Sequence, residues 1–136
     1  MMELIKSMFV SASGMRVQGE RSRMIAENVA NASSVPQTPG QQPYRRKIIT
    51  FKGELDRELG AKLVTINKRT FDRSPFGARY DPGHPGANAD GYIALPNVNG
   101  LIEAIDMKEA QRTYEANLNM IETAQAMINR TIELIR

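Results

Sequence analysis

All seven prolines of this 136-residue chain lie between Pro36 and Pro96. Proline removes a backbone donor and clashes with the preceding helical turn, so long helices are confined to the two proline-free ends. Eight of the ten glycines lie between Gly40 and Gly100, seven of them in that middle stretch. The distribution predicts a helix, a middle of short extended pieces and turns, and a second helix. It divides the chain into 1–33, 34–97 and 98–136.

The first segment carries a seam at alternating steps of four and three, Leu4, Met8, Ser11, Met15, Gln18, Ser22, Ile25 and Val29, interrupted by the polar Ser11, Gln18 and Ser22. A seven-residue repeat of this kind marks a coiled-coil seam. Beside it a second track seven apart runs through Ile5, Ala12, Gly19 and Ala26, whose small side chains would let another helix approach closely. Asn31, Ser33, Ser34 and Pro36 mark the end of the helix. The last segment keeps the rhythm longer, through Met107, Ala110, Tyr114, Asn117, Ile121, Ala124, Ile128, Thr131 and Ile135, and Leu118, Gln125 and Ile132 widen the stripe. Asn97 or Asn99 is placed to cap its start. Asn117 is either a register-setting polar residue or a chance polar position in the seam.

A single apolar face does not offset the backbone entropy of ordering so long a helix. The ends are therefore expected to be ordered mainly by packing against other chains. In the middle, Tyr44–Phe51, Lys62–Ile66 and Gly91–Leu95 read as strands. Residues Glu54–Leu59 read as a helical turn, and 72–90 as loop.

The chemistry-bearing residues are sparse. There is no Cys and one His, so thiolate sites and disulfide frameworks are out. No phosphate loop, dinucleotide fingerprint, zinc-protease helix or nucleophile elbow occurs. No catalytic, cofactor-binding or metal residue is assigned. His84, between Asp81 and Asp90, reads either as one member of a loop metal site or as a packed turn residue. The first reading is short of ligands. Ser11, Ser13 and Ser22 have no base at a matching position, so they read as small residues of a close-packed face. Tyr44, Arg45, Arg46, Lys47 and Phe51 offer either a nucleic-acid platform or a charged edge strand. A net charge of +3 is a weak footprint for nucleic acid. No apolar run is long enough to span a membrane. The start, MMELIKSMFV, interrupts its apolar residues with Glu3 and Lys6, so a cleaved signal peptide is not expected. A soluble adaptor with a helix-in-groove partner is the remaining non-enzymatic alternative.

Three stretches are familiar together. The first is Ser11, Ala12, Ser13, Gly14 and Met15, then Gln18, Arg21, and the run Ile25 to Asn31 (IAENVAN). The second is the loop Asp81 to Asn88 (DPGHPGAN), followed by Gly91, Tyr92, Pro96, Asn97 and Val98. The third is Asp106, Met107, Ala110, Arg112, Tyr114 to Asn117 (YEAN), Ala124 and Met127. In combination they resemble the bacterial flagellar rod, hook and axial protein family over well over half the chain. Glu27 departs from a second Asn common there, and residues 52–80 match only loosely.

The resemblance implies a structural, non-enzymatic subunit of the flagellar basal body, exported without a cleaved signal. It implies a mainly α fold in which long N- and C-terminal helices pair as an antiparallel coiled coil beside a small irregular or β middle region. It further implies helical polymerisation into a hollow, torque-transmitting rod around an export channel. The partners would be other rod proteins, copies of the same chain, and export-gate or ring adaptor subunits at the rod base, with no nucleic acid and no membrane span of its own. The expected assembly interface is Leu4, Met8, Met15, Ile25 and Val29 on the first helix. On the last helix it is Met107, Tyr114, Asn117, Leu118, Ile121, Ile128 and Ile135.

Overall fold

The computed structural model describes residues 1–136. Helix α1 runs Met2–Ala30 and helix α2 runs Gly100–Ile135. Between them lie strands β1 (Lys47–Asp56), β2 (Ala61–Phe71), β3 (Gly77–Tyr80) and β4 (Tyr92–Leu95). Helix α2, with 36 residues, is about 54 Å long at 1.5 Å per residue. Asn99 caps it: its side-chain Oδ1 accepts the Leu101 amide at 3.0 Å and the Ile102 amide at 3.4 Å. Asn97 is used elsewhere. No helix is long and apolar enough to cross a membrane.

The expected fold class is corrected by the middle of the chain. Helix accounts for 48% of residues and strand for 21%, in two separate two-stranded sheets, so the fold is mixed α and β rather than a coiled coil with a small appendage. Strands β1 and β2 hold 10 and 11 residues, well beyond their apolar runs. Each strand gives the other a ladder partner, so polar residues such as Lys52 and Glu54 stay extended without apolar burial. The expected helical turn at 54–59 is the end of β1 and the turn after it. There the Asp56 carbonyl accepts the Gly60 amide at 2.8 Å and its carboxylate accepts the Leu59 amide at 3.0 Å. A four-residue turn joins antiparallel strands only. Strand β3 lies inside the stretch expected to be loop and pairs antiparallel with β4, Gly77 opposite Leu95 and Tyr80 opposite Tyr92.

The chain forms two compact units, and both helices run through both. The first holds Met1–Ser22, Ile49–Lys68 and Met107–Arg136. Within it α1 has two different neighbours. On one side Arg21 meets Glu109 at 3.7 Å, and a Cβ at Gly14 would lie 2.8 Å from the Asn117 amide nitrogen. On another side the buried Ser13 hydroxyl accepts the Val64 amide of β2 at 3.1 Å and donates to the Val10 carbonyl at 2.6 Å. Helix α1 is thus shared between a helix and a strand, and a two-helix seam does not describe its packing. Its buried positions there are accordingly more often small or polar than apolar: Ser11, Ser13 and Gln18 beside Val17.

The second unit holds Arg23–Ile48 and Arg69–Asp106. Its core includes Ile25 and Ile93, both essentially inaccessible. Gly86 is buried against the 34–44 segment, where a Cβ would meet the Pro36 carbonyl oxygen at 2.0 Å, so only glycine fits.

Candidate assembly surface

The second unit is held by charged and polar side chains from distant parts of the chain. Arg46, just before β1, is the centre. Its Nε donates to the carboxylate of Glu103, a side chain with no exposed surface. Its Nη1 reaches Asp72 at 3.2 Å and its Nη2 reaches Asp106 at 3.5 Å. Its backbone amide donates to Asn97 Oδ1 at 2.7 Å, and its carbonyl accepts the Asp72 amide at 2.8 Å. Burial alone would lower the Arg46 pKa, but the hydrogen bonds and charges of Glu103 and Asp72 outweigh it and raise the pKa. Asp72 is held below the usual carboxylate range, first by hydrogen bonds from the Ser74 hydroxyl and amide, then by Arg46.

Asn28 makes the second junction. Its buried amide reads the Lys47 backbone as a strand would: Nδ2 donates to the Lys47 carbonyl at 2.9 Å, and Oδ1 accepts the Lys47 amide at 3.0 Å. Oδ1 also accepts the Tyr44 hydroxyl at 2.8 Å. Burial, the largest effect there, pushes the Tyr44 phenol up. Together Asn28 and Arg46 tie the end of α1, the start of β1 and the first turn of α2 into one polar frame.

The basic run is engaged mainly within this frame. Arg45 lies over the Phe76 ring at 4.2 Å and donates to the Asp72 carbonyl at 2.8 Å. Lys47 pairs with Glu27 at 3.2 Å. Tyr44, Arg45, Arg46 and Lys47 therefore do not present the open row of stacking and phosphate-binding groups that a nucleic-acid platform needs. His84 accepts the Gly86 amide on Nδ1 at 2.9 Å, a turn-stabilising role. No group of three or more His, Asp or Glu side chains could hold a metal ion.

The apolar surface lies on the helices. In the first unit, Ile5, Met8, Phe9 and Ala12 of α1 face Ile121, Gln125, Ile128 and Asn129 of α2 across an open groove of about 500 Å3. Beyond it α2 exposes Met120, Met127, Ile132, Leu134 and Ile135, the last two 88% and 78% accessible. In the second unit the first turns of α2 expose Leu101, Ile102 and Ile105.

Each expected interface residue has a definite place. Ile25 is buried within its own chain. Leu4, Met8, Met15, Met107, Asn117, Ile121 and Ile128 are half-buried. Val29, Tyr114, Leu118 and Ile135 are exposed. Met8, Ile121 and Ile128 meet at the groove. The small positions Ala12, Gly19 and Ala26 are exposed, and nothing lies within 4 Å of a Cβ at Gly19. Close helix approach falls instead on Gly14. Sequence reasoning missed Arg46 and Glu103 as a pair and the role of Asn28. Only the polar Asn28 within the IAENVAN run offered a signal.

Comparison with known proteins gives a consistent result. A family model described as flagellar basal body rod FlgEFG protein C-terminal matches residues 89–134. A flagellar basal-body rod protein FlgC of Agrobacterium fabrum is 46% identical over 127 residues, 93% of this chain and 91% of that protein. The proteins of the same name from Salmonella typhimurium and Bacillus subtilis are 32% and 34% identical, each across 98% of this chain and at least 98% of their own length.

Proposed function

Because this chain belongs to the FlgC family of flagellar basal-body rod proteins, we propose that its exposed helix faces are buried against neighbouring subunits as the rod assembles. It is a structural protein of the flagellar basal body, not an enzyme, and its place among other rod components follows from family membership.

The observation that carries the reading is the exposed apolar surface of α2. Leu134 and Ile135 stand almost fully in solvent, with Met120, Met127 and Ile132 nearby. Side chains of this size each lose about 1.5–3 kcal/mol by remaining exposed rather than buried. A helix face left so uncovered fits an element completed by another chain. Heterologous contacts that do not close on themselves generate helical assemblies.

The finer reading is this. Val29, Tyr114, Leu118 and Ile135 gain most from burial in the rod. Leu4, Met8, Met15, Met107, Asn117, Ile121 and Ile128 complete the interface around the open groove, and Ile25 supports α1 from within. The contacting chains are copies of this protein, other rod proteins, and adaptor subunits at the export gate and ring. The rod they build is hollow, transmits torque and lies in the periplasm.

The test is mass spectrometry of basal bodies purified by detergent extraction and filament removal. The chain is expected to remain with rings and rod. Its absence from intact rods would overturn the reading.

A further inference from the structure

A second cavity, of about 490 Å3, opens in the second unit and is lined by Gln42, Arg45, Phe71 and Arg73. Two arginines line it, and neither has a carboxylate partner. Arg45 gives Nη1 to the Asp72 and Ser74 carbonyls at 2.8 and 3.4 Å, and its Cζ lies 4.2 Å from the centre of the Phe76 ring. A guanidinium carries five N–H donors, so the others stay available. Arg73 is exposed and makes no ion pair. The nearest acid in sequence, Asp72, is committed to Arg46 and Ser74. Two like charges on one cavity repel unless an anion lies between them. The same cavity has an apolar wall, because Phe71 is 54% exposed.

We infer that this cavity receives the carboxylate of an acidic side chain on a neighbouring rod subunit, with apolar atoms of the same segment against Phe71. Arg45, oriented by Phe76 and the two carbonyls, is pre-organised to donate to a carboxylate at little entropic cost. Arg73 closes on the anion from the other side. The aromatic wall favours an acidic segment of protein over a bare inorganic anion, which would gain nothing from it. The inference rests on the assembly reading above and adds the chemistry of one contact.

The experiment places a photo-cross-linking residue in the cavity, Phe71→p-benzoylphenylalanine, in cells that assemble basal bodies. Basal bodies are irradiated, purified and digested, and the linked peptides sequenced. Arg73→Glu and Arg73→Lys are assayed in parallel for the amount of chain in purified basal bodies. Expected are a link to an Asp- or Glu-containing peptide of an adjacent rod subunit, incorporation of Arg73→Glu reduced on the order of tenfold, and near-normal incorporation of Arg73→Lys. Arg73 is solvent-exposed, so unchanged helicity and melting of purified Arg73→Glu protein is the control for folding. Links only within the same chain, links to glycan or lipid, or normal incorporation of Arg73→Glu would overturn the inference and leave rod membership intact. Absence of the unmodified chain from basal bodies would overturn both.

Discussion

The guanidinium of Arg46 is hydrogen-bonded through Nε to the fully buried carboxylate of Glu103, so the start of β1 is fastened to the first turn of α2. Removing one partner of such a pair strands the other charge in the interior, at about 3–5 kcal/mol. Arg46→Met should therefore lower the midpoint of urea unfolding sharply. The double variant Arg46→Met/Glu103→Leu should recover a large part of the loss, because the fully buried carboxylate goes with its partner and the remaining acids, Asp72 and Asp106, reach solvent. Equal loss in both would show that the pair is not what holds this junction.

Asn28 gives a finer probe. Asn28→Ala abandons the Lys47 amide and carbonyl and the Tyr44 hydroxyl together, and should cost about 1–3 kcal/mol for the unsatisfied groups. Asn28→Asp keeps the acceptor for the Lys47 amide and Tyr44 but sets a carboxylate against the Lys47 carbonyl. Both should destabilise in thermal melts, and amide exchange at Lys47 should accelerate in the alanine variant.

Two glycines of α1 should respond differently to alanine. A Cβ at Gly19 meets nothing within 4 Å, so Gly19→Ala should stabilise by about 0.5–1 kcal/mol through helix propensity. A Cβ at Gly14 would press on the Asn117 amide, whose Nδ2 donates to the Thr113 carbonyl at 3.0 Å. Gly14→Ala should show none of that gain, which paired melting curves would reveal.

Acid sensitivity should trace to Asp72. Its pKa is depressed in the folded protein below the ordinary 3.8. A depressed carboxylate contributes stability that is fully present above its unfolded pKa and is lost as pH falls through the folded value. Stability measured downward from about pH 5 should fall less steeply in Asp72→Asn than in the parent. Ser74→Ala removes the largest cause of the depression and should also flatten that limb. A parallel acid limb in both variants would exclude Asp72 as its source.

The helices were largely legible in the sequence because they carry two reinforcing signals. Proline is absent from both ends, and the 3-4 rhythm from Met107 to Ile128 marks a face that is half-buried or buried at Met107, Ala110, Asn117, Ile121, Ala124 and Ile128. Strand β4 was legible by a different signal, a short apolar run bounded by turn residues. The lengths of β1 and β2 were not, since Lys52 to Glu54 are held extended by a neighbouring strand rather than by burial. Strand β3 has no apolar run and exists through its pairing with β4. The polar frame was illegible because Arg46 and Glu103 are 57 positions apart and charge carries no period. The basic run 45–47 looked outward on paper, whereas its partners lie within the fold.

The central claim is that the exposed apolar faces of α2 become covered when the chain enters the rod. The chain has no cysteine, so in a single Ile135→Cys variant all label on this chain reports one position. Its thiol is measured for maleimide labelling in the purified soluble protein and in purified basal bodies. The account predicts rapid labelling of the soluble chain, where Ile135 is 78% exposed, and protection on the order of tenfold or more in the rod. Equal labelling of soluble and rod-incorporated protein at Ile135, and likewise at Leu134→Cys, would contradict it.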